Sequence, residues 1–212
     1  MGIFESIFDV SYLLSVIIIS AIILKRGLKS NKRHLVLFGV MGLLLGFGDA
    51  FHLIPRIIAH ITTGMADYQS YLGVGKLITS ITMTIFYLLI YYVYEDLKGE
   101  NKKAKYFIYA MMLIRFGLLA LPGNQWVTND GALFYGILRN IPFAIMGGLI
   151  VYLFYQVQEP AVFKKFGLWI IVSFVCYFIV VVGASFVPVL GAFMIPKTVA
   201  YFIVVYLGYR YL

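Results

Sequence analysis

The chain has 212 residues, of which 62% are hydrophobic, 17% aromatic and only 12% charged, with a net charge of +8. Water-soluble domains carry about a quarter of their residues as charged side chains, so this composition excludes an ordinary soluble domain. Apolar runs of about 20 residues recur along the whole length, which makes a bilayer the solvent. Cys176, the single cysteine, lies in an apolar run, excludes an internal disulfide and reads as a small core or lipid-facing residue.

In chain order the apolar segments fall at about 8–25, 35–60, 71–94, 105–121, 132–156, 166–187 and 193–211. They predict an all-α, polytopic membrane protein: one transmembrane domain of seven helices over residues 1–212. The opening residues MGIFESIFDV have neither a basic stretch nor a small-residue cleavage pattern, so the first segment is expected to stay in the membrane. Between the segments lie KRGLKSNKRH, HITTGMADYQ, EDLKGENKKAK, PGNQWVTNDG, QEPAVFKKF and a short VPVLGAF link, in which Pro188 and Gly191 mark a turn or a kink.

The first, third and fifth of these links hold Lys25, Arg26, Lys29, Lys32, Arg33, Lys98, Lys102, Lys103, Lys105, Lys164 and Lys165. The second and fourth hold Asp67 and Asp130 and no Lys or Arg. By the positive-inside rule the N-terminus is outside and the C-terminus cytoplasmic, in the inner (plasma) membrane. The positive charge is then a topology signal, and nucleic acid is not an expected partner. This is the arrangement of rhodopsins and many receptors, but the analogy carries no chemistry. Lys197, beside Pro196 at the outer start of the last segment, is at the wrong depth for a retinal linkage.

Arg210 ends the last segment on the cytoplasmic side, and Arg56, Lys76, Arg115, Arg139 and Lys197 are left over, one each from segments two, three, four, five and seven. All fall in the outer half of a segment or near its middle, with Arg115 close to the midplane and Arg139 less deep. Ionisable groups in a span cost a few kcal/mol and face the bundle interior or water. Snorkelling to outer headgroups is the alternative, chiefly for Lys76 and Lys197.

In GFGDAFHLIPRIIAH and the residues just before it, helical spacing puts Gly42, Gly46, Asp49, His52 or Leu53, and Arg56 on one face. Gly42 and Gly46 have the spacing that admits a close neighbouring helix. Pro55 frees the carbonyl of Phe51. Asp49 is expected to neutralise and orient Arg115 or Arg139, and His52 to tune the site by protonation. One Asp cannot balance five cations, so an anion from outside is expected: a carboxylate, phosphate or lipid headgroup.

Asn140 beside Pro142 in LRNIPF adds a donor, while Thr79 or Ser80, Met83 and Tyr87 share a face with Lys76. Trp126 is a lid or an interfacial aromatic, and His34 and His60 are interface residues. Neither a metal site nor a cofactor is expected, since only one His is deep and the surroundings are cationic. Asp49 and His52, three residues apart, could alternatively act as the acid/base pair of an intramembrane lipid hydrolase.

The blocks LLGFGDAFHLIPR, GKLITSITMTIFYLL, LRNIPF and MIPKTVAYF together resemble a family of bacterial seven-helix membrane proteins, over most of the chain. That resemblance implies the bundle and carries no activity. LLGFGD, fewer than ten residues, is similar to the Gly-Asp helix of lysoplasmalogenase-type membrane hydrolases, which implies lipid hydrolysis. GDAFHLIPR…GK and GASFVP…IPK also share a Gly-x-x-Phe, a Pro and a following Lys, as a parallel 3+1+3 transporter repeat would. The short, basic cytoplasmic links mean that any signal must pass to a separate cytoplasmic partner; a homo-oligomer is compatible with the same pattern.

Overall fold

A computed structural model describes residues 2–157, 159–184 and 186–211, leaving Met1, Gln158, Ser185 of the GASFVP stretch and Leu212 outside the described residues. The described residues form helices and no strand: α1 (Gly2–Ser30), α2 (Arg33–Ile61), α3 (Gln69–Lys98), α4 (Lys102–Leu119), α5 (Leu133–Tyr155), α6 (Phe166–Gly183) and α7 (Met194–Arg210). A lipid-exposed backbone must satisfy its own hydrogen bonds, and helices do this within each segment.

Six of the seven helices are long and apolar enough to cross a membrane. The other is α4, of 18 residues, whose start carries Lys102, Lys103 and Lys105. Its first turn is capped by Asn101, whose side-chain oxygen accepts from the Ala104 N–H at 3.1 Å. Links are short where geometry allows: Gly64 and Gly99 take positive φ after α2 and α3, where a side chain would be strained.

α1 and α2 pack as an antiparallel pair, and their seam explains the stripe on α2. A Cβ on Gly42 would meet Ser20 Cβ at 2.9 Å, and one on Gly46 would meet Ile17 Cγ1 at 2.8 Å. Further along, Tyr12 donates to Asp49 Oδ2 at 2.8 Å. At the end of the seam Glu5 pairs with Arg56 and, at 3.3 Å, with His60. The helical face read from the sequence is therefore the α1 contact, from small residues at one end to an ion pair at the other. α1 also begins at Gly2, ahead of the expected start near residue 8, and this extension is what brings Glu5 onto the seam.

Pro55 lies inside α2 and Pro142 inside α5. The Phe51 carbonyl released by Pro55 abuts Gly75 of α3, where an added Cβ would also stand 2.7 Å from His52 Cα. Gly75 thus sets the close approach of α2 and α3. The two Gly-x-x-Phe stretches are not equivalent in structure: Pro55 is within a helix, whereas Pro188 opens the short turn Pro188–Phe193 between α6 and α7.

The core is densest at the end of the bundle that carries the basic links. There Phe154 and Phe166 stack at 4.3 Å, and Phe38 and Phe163 stack at 5.5 Å. His34 Nδ1 lies 2.7 Å from Asp96 Oδ2, so it is hydrogen-bonded to α3 at this end. Cys176 is buried, at 8% exposure, which settles it as a core residue. The opposite end of the bundle is less filled, and its interior is polar.

Candidate cationic binding site

That polar interior is a cavity of about 350 Å³, within the usual range of about 300–1,000 Å³ for small-molecule sites. Its wall includes His52 of α2, Lys76 of α3, Arg115 of α4, Arg139 and Asn140 of α5, and Lys197 of α7. Tyr177 of α6 and Tyr201 of α7 complete the polar part, while Met83, Phe143 and Val181 supply apolar surface. Among the described residues, no carboxylate lines the cavity.

Each cation has a different neighbour. Arg115 is 2% exposed, and its guanidinium carbon sits 3.7 Å from the centroid of Phe143. Its Nε and Nη1 have no hydrogen-bond partner among the described residues. Lys197 lies over Tyr177, 4.7 Å from the ring centroid, with Tyr201 at 5.7 Å. Arg139 donates to Asn124 Oδ1 at 2.7 Å and stacks on Trp126 at 4.6 Å. Lys76 donates to Asn129 Oδ1 at 2.8 Å.

All of these partners are neutral. Rings and carboxamide oxygens orient a cation without cancelling its charge. None of Lys76, Arg115, Arg139 and Lys197 is in an ion pair among the described residues. Four like charges around one space repel one another, and Arg115 is in addition stripped of water. An anion would relieve both costs.

The link between α4 and α5 forms one side of the site. Asn124 is 3% exposed and donates to the carbonyls of Leu118 at 2.8 Å and Leu121 at 2.9 Å, which caps the end of α4. Trp126 Nε1 donates to the Leu119 carbonyl at 2.9 Å. Asn129 donates to Gln69 Oε1 at 2.6 Å, tying the link to α3. Trp126 is thereby tied to the end of α4 and lies behind Arg139, outside the residues that line the cavity.

Two residues expected in the site lie elsewhere. Asp49 does not line the cavity; its carboxylate accepts from Tyr12 and, among the described residues, forms no ion pair with Arg115 or Arg139. The reason is the α1 seam, where Tyr12 holds the buried carboxylate behind the cavity wall, although Lys197 of that wall still acts on it electrostatically. Arg56 is likewise engaged by Glu5 and does not line the cavity. His52 stands off the seam, lines the cavity, and faces the Leu72 carbonyl through Nδ1 at 3.3 Å. His60, taken as an interface residue, joins Arg56 on Glu5.

Several residues of this region carry no obvious signal in the sequence. Tyr177, Tyr201 and Phe143 look like ordinary apolar-segment aromatics, and only their contact with Lys197 and Arg115 distinguishes them. Asn124 and Asn129 stand out in PGNQWVTND as amides in a link without basic residues, which is the one readable hint. Glu5, Asp9 and Tyr12 share a face by their spacing. Asp9 is buried in the seam at 6% exposure, and its Oδ2 has no hydrogen-bond partner among the described residues.

No group of three or more His, Cys, Asp or Glu suited to a metal ion occurs among the described residues. Comparison with family models, curated proteins and solved structures matched none of them to this chain.

Proposed function

We propose that the chain is a multi-pass protein of the bacterial inner (plasma) membrane that binds or transports an anionic small molecule or lipid headgroup. The observation that carries this reading is the convergence of Lys76, Arg115, Arg139 and Lys197 on one cavity without a carboxylate among its described residues, with Arg115 buried and short of acceptors. Arg115 and Lys197 would grip the anion, and Arg139 and Lys76 would draw it in. His52 and Asn140 would add hydrogen bonds.

The cavity lies at the end of the bundle opposite Lys25–Arg33, Lys98–Lys105 and Lys164–Lys165, so basic links in the cytoplasm put it toward the outside. On this reading the N-terminus is outside and α4 serves as a seventh span. Arg115 lies four residues from the end of α4, shallower than the midplane expected from the sequence, and faces protein and cavity, which lowers the cost of a short and less apolar span. A lipid hydrolase using Asp49 and His52 has less support, because only His52 faces the cavity.

Native mass spectrometry of the detergent-purified protein tests the reading, with wild type beside Arg115→Gln. A bound anionic species present in wild type and lost in the variant is the expected result. Wild type that carries no anion and takes up none on addition of phosphate or carboxylates would overturn it.

A further inference from the structure

An apolar groove of about 110 Å³ runs along the outside of the bundle between α5 and α6. Ile141 and Phe178 on its flanks are 49% and 67% exposed, and Ala144 is also exposed, so this surface faces the hydrocarbon of a bilayer. The groove and the cationic cavity are neighbours: Asn140, Phe143, Tyr177 and Val181 belong to the walls of both. At that common wall the Tyr177 hydroxyl donates to Asn140 Oδ1 at 3.2 Å, joining α6 to α5.

A soluble anion needs only a polar route from the aqueous side. A groove that faces lipid across a wall shared with the cavity suits a ligand with an apolar part. Such a ligand keeps its chain in hydrocarbon throughout, so only its anionic head has to be transferred, from the headgroup layer to the cations. The hydrogen bond between Tyr177 and Asn140 spans this wall, and breaking a single exchangeable bond is a small cost.

From this shared wall we propose that the ligand is an anionic amphiphile, with its phosphate or carboxylate head among Arg115, Lys197 and Arg139 and one alkyl chain in the α5–α6 groove beside Ala144 and Phe178. The Tyr177–Asn140 bond is the latch between the two compartments. The inference rests on the anion-binding reading above and adds the chain and its place.

The test measures dissociation constants of inorganic phosphate and of butyl, octyl and dodecyl phosphate for the full chain in phosphatidylcholine nanodiscs. Wild type is set beside Ala144→Trp, which fills the groove from a position outside the cavity wall, and beside Ile141→Trp as an independent obstruction. Partitioning of the longer probes into the discs is common to all three proteins. The expected result is equal affinity for inorganic phosphate in all three, with a gain from chain length that is about tenfold larger in wild type than in either Trp variant. Phosphate binding without any gain from the chain, or with the same gain in all three, would overturn the amphiphile and leave the anion site standing. Absence of binding for every probe would overturn both.

Discussion

The guanidinium carbon of Arg115 sits over Phe143, 3.7 Å from the ring centroid, in a cavity lined by no carboxylate among the described residues. A desolvated cation–π contact contributes about 2 kcal/mol, which is less than the several kcal/mol that burying an uncompensated ion costs. Arg115 is therefore a net burden on the unliganded fold. Arg115→Met keeps much of the apolar volume and removes the charge. Its melting temperature in detergent should equal or exceed that of wild type, while stabilisation by added anion disappears. A marked loss of stability in Arg115→Met, without any change in anion response, would make Arg115 a structural residue.

Asp49 and Tyr12 make the opposite kind of pair. Tyr12 is 5% exposed, and its hydroxyl donates to the Asp49 carboxylate. Tyr12→Phe strands a charge and should cost about 1.5–3 kcal/mol, whereas Asp49→Asn leaves an acceptor for the hydroxyl and should cost less. Neither should weaken anion binding by more than about twofold. Unfolding in detergent and phosphate titrations of both variants check this. Loss of a lipid-hydrolysing turnover in Asp49→Asn, with binding kept, would revive the hydrolase.

The contrast between these residues shows what the sequence could and could not tell. Charges in apolar segments have few places to go, so the sequence alone groups His52, Lys76, Arg115, Arg139, Asn140 and Lys197, and they do line a common cavity. Asp49 and Arg56 share their helix with His52, but helical spacing gives faces without saying which neighbour covers each. That is decided by α1, which starts at Gly2 and brings Tyr12 and Glu5 against them. The segments themselves are readable because a bilayer demands continuous apolar helices. The folding of Asn124, Trp126 and Asn129 against the neighbouring helices is not, since a link's conformation comes from the partners it meets and not from a repeating pattern.

Arg139 and Trp126 supply an optical reporter for the site. The guanidinium that stacks on the indole at 4.6 Å also donates to Asn124, so an anion that draws Arg139 inward must disturb the stack. In a Trp169→Phe background, which leaves Trp126 as the only indole of the chain, titration with phosphate should shift the emission. Arg139→Gln should remove the shift and weaken binding about tenfold. Arg56→Gln should keep both, because Arg56 is held outside the cavity by Glu5. Equal losses from the two variants would mean that the effect is general charge and not the site.

Gly75 and Gly117 test the packing that sets the cavity's α2–α3 wall. A methyl group on Gly75 would come within 2.7 Å of His52 Cα, and backbone cannot turn aside as a side chain can. Gly75→Ala should therefore cost about 1–3 kcal/mol by forcing the helices apart, and should weaken anion binding through the displaced His52. A methyl group on Gly117 would have nothing among the described residues within 4 Å. Gly117→Ala should be neutral or raise stability by up to about 1 kcal/mol, since alanine favours the helix. Thermal melts of the two side by side separate a packing effect from a propensity effect.

The orientation and the seventh span can be read together by labelling. Cys176 is buried, so Cys176→Ser gives a quiet background for single cysteines at exposed positions. Thr63 follows α2 at the cavity's end of the bundle, and Lys32 precedes α2 at the other. With the cavity outward, a membrane-impermeant maleimide should label Thr63→Cys in intact cells with a permeable outer layer, and Lys32→Cys only after the inner membrane is opened. The short α4 is bracketed by Glu100 and Thr128. If α4 crosses, Glu100→Cys should behave like Lys32→Cys and Thr128→Cys like Thr63→Cys. Labelling of Glu100→Cys and Thr128→Cys from the same side would remove the seventh span. Reversal of the whole pattern would turn the cavity toward the cytoplasm, and the anion would then have to come from within the cell.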